Sequence, residues 1–239
     1  MWLNDFIKNH LDRRLLNNNY RSLSINKYKY DFYSNDYLGF AKNNDIKKLT
    51  EDILKDYSIS QNGSTGSRLI SGNNKLIEDV ENYISKFHNA EAGLIFNSGY
   101  SANIGLLSAL GQRNNCIIYD ELIHASIKDA LRLSFSKFLS FKHNNTSDLE
   151  IKLKKTTGNK IVIIEGIYSM DGDEPPLNEI YEICKNNDTL LIIDEAHSTG
   201  TIGKKGIGLV ATKLKNTNNI IRIHTFGKAI GVCGAIVLG

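Results

Sequence analysis

What most limits the folds open to this chain is a series of seven short apolar runs, rich in Ile, Val and Leu. They are Ala92–Phe96, Cys116–Tyr119, Lys137–Phe141, Ile161–Ile164, Leu190–Ile193, Ile220–His224 and Ala235–Leu238. They lack sustained apolar/polar alternation, so they predict strands covered on both faces. Helix-like stretches such as Ser101–Leu110 and Ile123–Leu133 lie between them, which predicts right-handed crossovers joining parallel strands. The expected fold is α/β, a doubly wound, mostly parallel seven-stranded sheet. The last run follows Gly231 and Gly234 too closely for a crossover helix, so that strand is expected to be antiparallel. The sequence stops on it at Gly239, which predicts an open apolar edge prone to aggregation or to pairing with a partner fragment.

Ahead of these runs, Phe6, Ile7, His10, Leu11, Arg14 and Leu15 fall on one stripe at helical spacing. An amphipathic opening helix over Trp2–Asn17 is expected, ending in the Asn17-Asn18-Asn19 run. Tyr28–Tyr33 alternates enough to predict a short strand, followed by turn residues from Ser34 to Gly39. The expected division is an N-terminal helix and arm, residues 1–40, and a large domain, residues 41–239.

Composition narrows the function. Twenty-nine basic residues against 26 acidic ones leave a net charge of only +3, scattered along the chain, which argues against a nucleic-acid face. Cys116, Cys184 and Cys233 are odd in number and widely spaced, a pattern that suits a reducing cytosol and indicates neither a disulfide frame nor a zinc site. With no signal-peptide pattern and no run of roughly 20 apolar residues, the expected location is the cytoplasm, without membrane insertion.

In open α/β sheets ligands gather beyond the carboxyl ends of the strands, so the residues following each run carry the chemistry. Four junctions stand out. After Phe96 comes Asn97-Ser98-Gly99-Tyr100-Ser101, a small-residue turn into a helix whose first amides can bind a phosphate or be capped by a serine. After Ile164 comes Glu165-Gly166-Ile167-Tyr168-Ser169, and after Ile193 comes Asp194-Glu195-Ala196-His197. A buried carboxylate such as Asp194 needs a partner: a protonated ring nitrogen, or the hydrogen bonds of an ordinary cap. After His224 comes Thr225-Phe226-Gly227-Lys228. Lys228 sits in an apolar, glycine-flanked stretch, where desolvation favours the neutral, nucleophilic amine, although a snorkelling lysine is also compatible. No P-loop or dinucleotide glycine motif is present. One cofactor would use all four junctions together: pyridoxal phosphate (PLP) needs an amine for its aldehyde, a carboxylate for its ring nitrogen, a donor for its phenolic oxygen and amides for its phosphate.

Seven motifs stand in order: SNDYLG at Ser34, GSTGSRLISG at Gly63, FNSGYSAN at Phe96, DELIHASI at Asp120, EGIYSMDGD at Glu165, IDEAHSTG at Ile193 and TFGKAIG at Thr225. Together they resemble the α-oxoamine synthases, PLP-dependent acyltransferases among the class-II aminotransferases, along essentially the whole stretch from Leu11 to Gly239. The resemblance implies the large domain of the PLP-dependent transferase fold type I, with the C-terminal small domain and its carboxylate-binding arginine absent. It implies that Lys228 joins the cofactor and later moves a proton, that Asp194 faces the ring nitrogen, that His197 and Ser169 contact the phenolic oxygen and that His124 lies over the ring. Gly99, Tyr100 and Thr225 would hold the phosphate. Asn35 would lie near the amino acid, and the Ser67-Arg68 loop would reach a neighbouring subunit's acyl site in a homodimer. The implied reaction is the decarboxylative condensation of L-alanine with a pimeloyl thioester, on CoA or a carrier protein, in biotin synthesis. Other members join glycine to acetyl-CoA or succinyl-CoA, or serine to palmitoyl-CoA. A non-catalytic cofactor-binding fragment and a generic nucleotide-binding domain remain as readings from other classes.

Overall fold

In the computed structural model the described residues are 1–23, 25, 29–59 and 63–239. The chain forms two compact units, Met1–Tyr33 and Ser34–Gly239. In the first, helix α1 (Trp2–Leu16) stops where expected: Asn17 closes it and Asn18 adopts a left-handed φ of 53°. Its apolar stripe is not buried, since every residue of α1 is exposed. No strand forms over residues 29–33, where isolated bends take its place, and Tyr28 lies outside the described residues. Alternation alone does not make a strand without a partner whose ladder satisfies its backbone.

The second unit contains helices α2 (Asn44–Asp56) and α3 (Lys75–Phe87), then strand β1 (Gly93–Phe96), α4 (Gly99–Leu110), β2 (Asn115–Asp120), α5 (Ala125–Leu133), β3 (Lys137–Phe141), α6 (Thr146–Lys155), β4 (Asn159–Glu165), α7 (Leu177–Asn186), β5 (Thr189–Asp194), α8 (Leu209–Lys213), β6 (Ile220–Thr225) and β7 (Ala235–Leu238). All seven predicted strands form, in one sheet ordered β1-β7-β6-β5-β4-β2-β3. Strands β3, β2, β4, β5 and β6 are parallel, and β7 runs antiparallel to both β6 and β1. The carboxyl ends of β1, β2, β4, β5 and β6 therefore share one edge.

The unbroken apolar runs are explained by the two sheet faces. On one, Val162 and Ile164 of β4 join Leu191 and Ile193 of β5 and Leu149, Leu153, Ile180 and Leu209 from α6, α7 and α8. On the other, Ile161 and Ile163 join Ile192, Ile223, and Ala102, Leu107, Ile127 and Leu131 from α4 and α5. Residues of both parities along a strand meet helices, so both parities are apolar.

The last strand corrects the sequence-based expectation of an open apolar edge. β7 inserts between β6 and β1, its Ile236 and Leu238 are fully buried, and the Gly239 and Ala92 backbones exchange hydrogen bonds of 2.9 and 3.2 Å. The strand is apolar because it is interior. Replacing Ile164, fully buried on β4, with Ala is expected to cost about 2–5 kcal/mol of stability, since a cavity remains in a close-packed layer. Urea unfolding of the two proteins measures it.

Candidate active site

Four of the shared carboxyl ends, with the loop after β6, surround one cleft with about 480 Å³ of open space. From β1 the chain turns at Ser98, whose Oγ accepts from Ser101 N at 3.1 Å as the cap of α4. That leaves the Gly99 and Tyr100 amides at the helix start without an intrahelical acceptor. Both residues line the cleft, opposite Thr225 at the end of β6. The approach is close: a Cβ on Gly99 would lie 3.1 Å from Thr225 Oγ1.

Asp194 ends β5 and is almost wholly buried. Its Oδ1 accepts from Ala196 N and its Oδ2 from Asn103 Nδ2, each at 3.0 Å. Asn103 also donates to Ser126 Oγ at 3.0 Å, and Ser126 Oγ lies 2.8 Å from His124 Nδ1. Because Ser126 N also donates to that nitrogen, the network assigns the His124 proton to Nε2. His124 caps α5, which is why the helix begins two residues later than the periodicity suggests. Across the sheet, Glu165 of β4 is the register partner of Asp194, and it accepts a hydrogen bond from His124 N. Burial, and then the neighbouring Asp194, push the Glu165 carboxyl up to about 8, so it carries a proton at neutral pH.

Lys228 stands in the turn after β6, held by Gly231 N donating to Lys228 O at 2.9 Å. Gly231 must be glycine: its φ is +74°, and a Cβ there would lie 2.4 Å from Ala41 N. Burial lowers the Lys228 amine from its ordinary value, opposed by the charge of Asp194. Nζ lies 2.6 Å from His197 Nε2. Burial chiefly, then the Lys228 charge, hold His197 down at about 4, so its ring is neutral. The other ring nitrogen meets the Tyr37 hydroxyl at 2.8 Å, and that hydroxyl donates to Asn35 Oδ1 at 3.0 Å.

Of the residues singled out from sequence, Gly99, Tyr100, His124, Asp194, His197, Thr225 and Lys228 line one cleft. Asn35 is exposed and joins it through Tyr37. Ser169 is exposed in the turn after β4 and is not among the lining residues. Ser67 lies in a separate exposed turn, its carbonyl accepting from the amides of Ile70, Ser71 and Gly72, and Arg68 is paired with Glu81. Sequence reasoning does not assign Asn103, Ser126, Glu165 or Tyr37 a place in the site, although all four stand inside the quoted motifs. A polar residue one turn into an otherwise apolar helix, as Asn103 is in α4, is the signal that could have found the first.

A family model described as aminotransferase class I and II matches residues 27–239. An 8-amino-7-oxononanoate synthase from Emericella nidulans is 39% identical over 224 residues, covering 87% of this chain and 54% of that protein. Among solved structures, a serine palmitoyltransferase from S. paucimobilis with PLP-myriocin bound is 29% identical with a TM-score of 0.78, covering 86% of this chain and 52% of that one. An 8-amino-7-oxononanoate synthase from Francisella tularensis is 30% identical with a TM-score of 0.71, covering 87% and 57%. The chain belongs to the aminotransferase class I and II family. It spans about half the length of the curated relatives it matches. Among the described residues no helix is long and apolar enough to cross a membrane.

The protonated Glu165 makes a test of the site's electrostatics. Its value in the folded protein lies above the ordinary 4.5, so its contribution to stability is complete below that pH and is lost as pH rises through about 8. Glu165→Gln keeps an acceptor for His124 N and no longer titrates. The decline in urea midpoint between pH 5 and 8 is expected to be shallower in the variant. An unchanged slope would contradict the assignment.

Proposed function

We propose that this chain carries the cofactor site of a PLP-dependent acyltransferase of the α-oxoamine synthase type, acting on an amino acid and an acyl thioester. The observation that carries the reading is the convergence of a desolvated lysine amine, a buried carboxylate and a helix N-terminus on one cleft. The donor set fits PLP: Gly99 leaves room beside Thr225 where a side chain would crowd, the Asp194 carboxylate is fixed by two donors, and Lys228 is half-buried beside a neutral imidazole. When bound, PLP supplies an electron sink for charge developing on the amino acid's α-carbon.

The residues divide the remaining work. The Gly99 and Tyr100 amides and the Thr225 hydroxyl bind the phosphate at the positive end of α4. Asp194 would hold the ring nitrogen in its protonated form, an electrostatic contribution strengthened by exclusion of water. His197 would hold the phenolic oxygen, with Ser169 as its expected companion, and His124 would shield the cofactor ring. Lys228 Nζ would hold the cofactor at its aldehyde carbon, with loss of water, and would move the proton at the substrate α-carbon. Burial suits it to that task, because it brings the amine nearer the working pH than an exposed lysine. Asn35 is assigned to the amino acid, and the Ser67 turn to an acyl site completed by a second subunit of a homodimer.

Among the reactions of this class we infer the condensation of L-alanine with a pimeloyl thioester to give 8-amino-7-oxononanoate, in the cytoplasm, because relatives of that name match most of this chain. The structural likeness to serine palmitoyltransferase supports a serine-specific second reading. With PLP present, borohydride reduction is expected to leave one trapped adduct on Lys228, mapped by peptide mass spectrometry and missing from Lys228→Ala. In D2O, exchange of the L-alanine α-proton, followed by proton NMR, is expected to fall roughly 10²–10⁴-fold in that variant, the range of a lost acid–base group. Faster exchange of L-serine than of L-alanine would favour the second reading. An adduct on any other lysine would overturn the site.

A further inference from the structure

Four groups form an unbranched chain from the cleft to the surface: Lys228 Nζ, the two nitrogens of His197, the Tyr37 hydroxyl and Asn35 Oδ1, at separations of 2.6, 2.8 and 3.0 Å. A hydroxyl has one proton to give. Since Tyr37 gives it to Asn35, the phenolic oxygen accepts from His197, which assigns the imidazole proton to Nδ1 and turns the Nε2 lone pair toward the Lys228 ammonium. A second arrangement of His197 and Tyr37 becomes available when the group at Nε2 is an acceptor instead of the Lys228 ammonium. With the hydroxyl rotated to donate to Nδ1, the imidazole proton moves to Nε2 and points into the cleft, and the Asn35 oxygen is released. A donor at the cleft end selects the first arrangement, and an oxygen acceptor selects the second.

We propose that Tyr37 is a positioning residue, a hydroxyl rotor that sets which nitrogen of His197 carries the proton and so couples the group bound in the cleft to the hydrogen-bonding state of Asn35. The chain of contacts stands without the proposed function. It rests on that reading only for the acceptor, the phenolic oxygen of PLP, and for the use of the released Asn35 oxygen, which can then accept from the ammonium of an amino acid. Neutrality of His197, imposed by burial, is what gives the ring two tautomers to choose between at neutral pH. Burial also raises Tyr37 above its ordinary value, which keeps the phenolic proton in place. The titratable groups facing the pair are Lys228, Asp194 and His124 around His197, with the protonated Glu165 behind Lys228. On the Tyr37 segment Asp36 accepts from Ala41 N at 3.3 Å.

Coupling between two ends is reciprocal, so it can be read from the Asn35 end without cofactor. The experiment is nitrogen-15 NMR of the His197 ring in the full chain at neutral pH, on a Lys228→Met background that removes the donor at Nε2. With Asn35 intact the proton is expected on Nδ1. Adding Asn35→Ala frees the hydroxyl to donate to Nδ1, and the major tautomer is expected to become Nε2–H. Asn35→Asp, which still accepts, is expected to restore Nδ1–H. Adding Tyr37→Phe is expected to abolish the difference that Asn35→Ala makes. Asn35 and Tyr37 are both exposed, so these changes leave the core intact, and the amide spectrum verifies folding. A tautomer that ignores Asn35→Ala, or that responds equally without the Tyr37 hydroxyl, would overturn the proposal. Failure of Lys228 to form a PLP adduct would instead overturn the proposed function and leave this result standing.

Discussion

The structure around the cleft depends on keeping opposite charges, Asp194 and Lys228, out of water within one site. A carboxylate at the end of an interior strand costs free energy unless donors surround it, and Asn103 and the Ala196 amide provide them. The amine opposite loses part of its preference for a proton through burial and recovers part from the Asp194 charge. The result is a lysine whose proton is easier to remove than that of a surface lysine. Holding it there requires the tight turn at Gly231 against Ala41, which packs the TFGKAIG segment against the residues just after SNDYLG.

Glu165 shows how the sheet itself sets the chemistry. Parallel register places it beside Asp194, and two adjacent buried carboxylates do not both ionise easily. Glu165 takes up a proton at neutral pH. The proton-bearing member also receives the His124 amide, so the electrostatic state of β4 and the placement of the imidazole at the start of α5 are linked through one side chain.

Much of this is legible from sequence, for reasons that apply to particular residues. The strands can be read because interior parallel strands must be apolar at successive positions, as Ile161 to Ile164 are. Asp194, His197 and Lys228 can be read because each follows such a run, where polar residues need a purpose. His124 is placed by resemblance, since its spacing reads as a helix cap, and it is indeed a cap as well as part of the cleft lining. Asn103, Ser126 and Tyr37 join the site through contacts spanning 91, 23 and 160 positions, and no local pattern encodes those. Residues 29–33 form no strand, because a strand depends on a partner ladder that local periodicity cannot supply. The apolar C-terminal run reads as an edge from sequence because its slot between β6 and β1 is a property of sheet order.

The most direct measurement of the central claim is a crystal structure of the protein after soaking with pyridoxal phosphate. Density is expected to be continuous with Lys228 Nζ, with the ring nitrogen against Asp194 and the phosphate at the Gly99 and Tyr100 amides beside Thr225. Density for the compound at another site, or a well-ordered cleft in which Lys228 and Asp194 face different cavities, would contradict it.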